Sequence, residues 1–151
     1  MELKLKKTFS FIFLLTLGLS AFAHPMTPTT ASTQITLQNN TSGNLTIDTG
    51  QVHVNNIKND SLNPKLPDVI SSASYHGTAT ESQNGANYSF KIPVSFPNHG
   101  DVCDVNVKYN ADNDRVSVTT SAVKFGQHAL CSASITQQGS KNSITVNFTE
   151  Q

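Results

Sequence analysis

Five histidines and two cysteines are the side chains of this 151-residue chain best suited to chemistry, and His24 stands out among them. Residues 1–23 read as a secretory signal: Lys4, Lys6 and Lys7 precede an apolar run over 9–17, and Ala21-Phe22-Ala23 fits a small-x-small cleavage site. Cleavage after Ala23 would place His24 at a new amino terminus, where its free amine and imidazole together can chelate one copper ion. A second histidine, from among His53, His76, His99 and His128, would complete a three-nitrogen set of the kind Cu(II) accepts. Pro25 does not interfere, because this chelate does not use the second residue's amide nitrogen.

Other sites are not signalled. The chain has no Gly-x-Ser-x-Gly elbow, no His-Glu-x-x-His, no Cys-x-x-Cys and no phosphate-binding glycine loop. Asn110-x-Asp112-x-Asp114 has the alternating oxygen ligands of a calcium loop, but Arg115 stands where glycine is needed and Ser121 where the loop would end in glutamate, so the segment is read as a hairpin turn. The resulting expectation is a non-enzymatic protein without a cofactor. Copper at His24 is the alternative. At that one position the chain resembles exported copper proteins with an amino-terminal histidine, such as lytic polysaccharide monooxygenases and CopC-like copper carriers. The resemblance implies a β-sandwich fold and a copper-binding or copper-oxidase role for His24.

The cysteines constrain the fold as well as the chemistry. Cys103, Val105, Val107 and Tyr109 alternate with polar residues, the two-residue period of a half-buried strand. Ala129, Cys131, Ala133 and Ile135 repeat the pattern later. A disulfide needs Cα atoms roughly 4.4–6.8 Å apart, whereas strands two places apart in one sheet lie about 9.5 Å apart. A plain up-and-down meander is therefore disfavoured. Either the strand carrying Cys131 lies beside or opposite the strand carrying Cys103, or Cys131 sits in a connection that folds back; the first arrangement describes a two-sheet sandwich. Closing the loop would stabilise so small a domain by about 3–4 kcal/mol through restriction of the unfolded chain.

The remaining elements agree with an all-β chain. Residues 24–32 form a Pro/Thr-rich lead-in, and one domain is expected over 33–151. Ile35 and Leu37, then Leu45 and Ile47, flank the turn chemistry of 39–44 and predict a hairpin. Val52 and Val54 mark a short strand, with His53 pointing away from them. Residues 55–71 read as a long loop, stapled by Ile57, Leu62 and Leu66. A strand over 74–80 follows, then the strongest alternation in the chain: Tyr88, Phe90, Ile92, Val94 and Phe96. Pro93 cannot donate to a ladder, which predicts an edge strand or a bulge there. Val116 and Val118, then Ile144, Val146 and Phe148, supply two more strands. Together these predict a small antiparallel two-sheet β-sandwich with a Cys103–Cys131 disulfide.

Removal of residues 1–23 takes three lysines and Glu2, leaving seven basic against nine acidic side chains and a net charge of about −2 with neutral histidines. The scattered lysines do not favour nucleic acid. No segment of the mature chain is long and apolar enough to span a membrane. Sugar binding through aromatic platforms has little to work with: there is no tryptophan, and of three tyrosines Tyr88 and Tyr109 fall on core faces while Tyr75 is expected to be free. Serine, threonine and asparagine could bind glycan only if repeated along a surface. The expected role is an exported periplasmic or extracellular binding module for a protein or glycan, with edge-strand self-association as a further route.

Overall fold

A computed structural model describes residues 30–71, 73–96, 100–123, 129–138 and 141–150. Its strands are β1 (Ser32–Asn39), β2 (Leu45–Ile47), β3 (His53–Asn55), β4 (Val69–Ile70), β5 (Ser74–Thr80), β6 (Tyr88–Ser95), β7 (Val102–Asn110), β8 (Arg115–Val123), β9 (Ala129–Gln138) and β10 (Lys141–Glu150). They build two sheets. One has the order β5-β1-β10-β9; the other runs β4-β2-β6-β7-β8, with β3 pairing β6 in line with β2. The two-sheet sandwich is as the alternation and the cysteine geometry predicted. Pairing is antiparallel except for β1 beside β10, which is parallel. No helix among the described residues is long and apolar enough to cross a membrane.

Period-two alternation decides what each strand buries. Ile35 and Leu37 from β1, Ile144, Val146 and Phe148 from β10, and Phe90, Ile92, Val94, Cys103, Val105 and Val107 from β6 and β7 form the middle of the core, all at most 3% exposed. Phe96 meets Phe148 edge to face with ring centroids 6.1 Å apart. At one end the inner layer turns polar. Ala79, Thr33, Asn142 and Gln137 form a transverse row across β5, β1, β10 and β9. Facing them, Tyr88 and Tyr109 stack at 4.8 Å. The Thr33 and Tyr88 hydroxyls hydrogen-bond across the sheets, and the Tyr109 hydroxyl donates to Asp114 Oδ1.

Cys103 on β7 and Cys131 on β9 join the two sheets, with Cα atoms 6.4 Å apart. The bridge sits on the side where β8 and β9 run past each other without a backbone ladder among the described residues. Two side chains help close that seam: Thr120 Oγ1 donates to the Cys131 carbonyl and Gln137 Nε2 to the Asp114 carbonyl. Ile135 keeps its inward phase but is 40% exposed, because β9 is the outermost strand of its sheet.

Three local expectations are corrected. The hairpin over 39–44 does not form, since β1 and β2 belong to different sheets. Asn39 makes the crossover: its amide donates to the carbonyls of Gly43 and Ile70, and its Oδ1 accepts from Thr41 N. Pro93 lies inside a sheet, paired with Asp104 of β7, rather than on an edge strand. It is tolerated because β2 pairs with Val94 and Ser95 and β3 with residues 89–91, so neither reaches Pro93. Finally, the lead-in expected over 24–32 yields its end to the domain. Ala31 is buried and clamped by Glu81, which donates its N–H to the Ala31 carbonyl and accepts the Ala31 N–H at Oε1.

Candidate binding face

The outer surface of the β5-β1-β10-β9 sheet is the most unusual surface of the described residues. The register sets three adjacent uncharged rows on it, Thr78–Gln34–Ser143–Thr136, His76–Thr36–Thr145–Ser134 and Ser74–Gln38–Asn147–Ser132, and beside the first a row through Thr80, Ser32 and Lys141 that carries a lysine. Every position in the three uncharged rows is a hydroxyl, an amide or an imidazole, and none carries a carboxylate. Strand geometry repeats them at about 4.8 Å across the strands and about 6.7 Å along them. Thr36 Oγ1 and His76 Nδ1 lie 3.0 Å apart across β1 and β5, fixing one pair. The other sheet differs: its outer face carries the Lys91–Asp104 ion pair at 2.8 Å, and Lys108 and Arg115.

The loop between β3 and β4 borders this face along the free edge of β5. Asn63 and Thr78 exchange backbone hydrogen bonds of 3.0 and 2.8 Å, Ile57 bridges to Glu81, and Ser82 N donates to the Asn56 carbonyl. An edge that would otherwise offer unpaired N–H and C=O groups is thereby partly covered. Ile57, Leu62 and Leu66 are all buried and staple the loop inward, as their isolated spacing predicted. Asn56, Asn59 and Asp60 take left-handed backbone, which asparagine and aspartate accept more readily than other side chains.

Tyr75 supplies a further anchor, and this corrects the expectation that it is free. Its ring is buried over Gly77 and its hydroxyl donates to the Pro64 carbonyl. Burial pushes its phenol up to about 12. Tyr88 and Tyr109 are likewise raised to about 12, chiefly by burial, so none of the three is poised for proton transfer near neutral pH.

Two concavities lie where loop and sheet meet. One, of about 300 Å³, is lined in part by Gln34, Thr36, His76 and Thr78 against Asn63 and Pro64. The other, of about 400 Å³, continues past Thr78 and Thr80 to Lys58 and Lys65. Sequence reasoning found the loop but not the face, because its rows draw on strands from opposite ends of the chain. The signal was the Ser/Thr/Asn content of the outward positions.

The histidines do not gather. His53 on β3 and His76 on β5 are exposed and belong to different sheets; His24, His99 and His128 lie outside the described residues, as does the signal expected over 1–23. The Asn110–Asp114 segment is the turn between β7 and β8, with Asn110 Oδ1 accepting from Asp112 N and Asp114 Oδ1 from Tyr109. No group of three or more His, Cys, Asp or Glu side chains suited to a metal occurs among the described residues.

Fold and surface together define a disulfide-bridged two-sheet β-sandwich with one polar outer face that carries no carboxylate. No protein-family model matches the chain, and no curated protein matches it in sequence.

Proposed function

We propose that this chain is an exported, non-enzymatic binding module that takes an extended glycan across the outer face of β5-β1-β10-β9. The observation that carries the reading is the set of three carboxylate-free rows of hydroxyl and amide side chains, with the His76 imidazole among them. Single hydrogen bonds of this type exchange with water and contribute only about 1 kcal/mol each. Repetition across four strands lets a polymer engage many at once, which raises avidity without strong individual contacts. A disulfide joining the sheets supports an oxidising compartment, consistent with the secretory signal read in residues 1–23.

The test is co-sedimentation with a panel of insoluble polysaccharides. Thr36→Asp/Thr145→Asp places two carboxylates in the centre of the face and is expected to abolish retention. Ser117→Asp on the opposite sheet should leave it unchanged. Retention of no polysaccharide, or equal loss in both variants, would overturn the reading.

A further inference from the structure

The loop side of this face carries a charge that the three uncharged rows lack. The 400 Å³ groove is lined by Lys58 and Lys65 together with neutral hydrogen-bonding groups, among them Asn59, Asn63, Thr78 and Thr80, and by no carboxylate. Neither lysine forms an ion pair among the described residues, where Lys91–Asp104 is the ion pair found. Asp60, the nearest acid in sequence, lines the neighbouring smaller cavity with Lys65 and not this groove. The groove is preformed: the Asn63–Thr78 backbone pair fixes its floor, and buried Leu62 fixes the loop that bears both lysines.

From this we infer that the ligand is an acidic polysaccharide whose uronate carboxylates enter the groove while its neutral hydroxyls lie along the adjoining rows. The inference rests on the glycan reading above. Two ammonium groups without acidic partners among the described residues select a carboxylate over a neutral sugar, and their exposure makes the attraction sensitive to salt. Thr78 belongs both to the groove and to the first row, so one chain can run from the charged site onto the uncharged rows. An uronic acid polymer presents both chemistries on every residue.

Isothermal titration with oligogalacturonate, with its fully methyl-esterified counterpart and with inorganic polyphosphate separates the outcomes. The expected result is at least tenfold tighter binding of oligogalacturonate than of the ester, weakening as salt is raised. In Lys58→Gln/Lys65→Gln that preference should vanish while the ester binds as before. Both lysines are exposed, so the variant should melt with the wild-type protein, and a matched melting curve checks this. Equal binding of acid and ester, unchanged in the variant, overturns the inference and leaves the glycan reading standing. Polyphosphate binding as tightly as oligogalacturonate also overturns it, since the groove would then select charge and not sugar. Failure of all three ligands, together with failure of every insoluble polysaccharide, overturns both.

Discussion

Tyr75 occupies the space a side chain at Gly77 would need. A Cβ built at 77 would overlap the Tyr75 hydroxyl and lie 2.6 Å from its Cζ, while that same hydroxyl donates to the Pro64 carbonyl. A missing side chain on β5 therefore holds the ring that ties the loop to the sheet.

Gly77→Ala should displace the ring and destabilise the domain by about 1–3 kcal/mol, the usual cost of overpacking. Tyr75→Phe removes only the hydroxyl and orphans the Pro64 carbonyl, for about 1 kcal/mol. In a Tyr75→Ala background the Gly77→Ala penalty should largely disappear. Chemical denaturation of the four proteins checks this as a double-mutant cycle; simple additivity would show that the two residues are not coupled.

The bridge between Cys103 and Cys131 closes a separation of 28 residues and links the sheets beside a seam that lacks a backbone ladder among the described residues. Reduction, or Cys103→Ala/Cys131→Ala, should lower stability by about 3–4 kcal/mol. Protein denatured without reductant should not react with thiol reagents. Two equivalents of reactive thiol would mean that the bond is absent.

Alkaline pH supplies a different probe, because all three tyrosines are raised from 10 to about 12. Between those values the unfolded chain loses phenolic protons that the folded chain retains, so stability falls as pH rises. It should be constant with respect to these groups below about pH 10 and decline toward pH 12. Phenolate absorbance in the folded protein should stay low near pH 10 and rise together with loss of the fold. A normal tyrosine titration at pH 10 with the fold intact would contradict the burial of these rings.

Processing at the amino terminus is checked by mass spectrometry of protein recovered after secretion from a bacterial host. Its first residue should be His24. Recovery of an unprocessed chain beginning at Met1 would remove the basis for export and, with it, the free amine needed for copper at that position.

How far the sequence reached depended on the range of the interactions involved. Alternation is local: residues two apart share a face, so Cys103 to Tyr109, Tyr88 to Phe96 and Ile144 to Phe148 revealed their buried sides without a partner in view. The disulfide was legible too, because bond geometry excludes most placements of two strands. Pairing is another matter. The parallel union of β1 with β10, the passage of β1 and β2 into opposite sheets, and the break beside Pro93 are set by which segments meet across the whole chain, and no short window encodes that. The burial of Tyr75 has the same origin, since its hydroxyl needs a carbonyl from a loop that closes only when β5 becomes an edge. Thr78, Gln34, Ser143 and Thr136 illustrate the difference most directly. The alternation in three strands determined that Gln34, Ser143 and Thr136 point outward; only the tertiary structure, by turning Tyr75 inward and aligning four strands in register, set Thr78 beside them in one row.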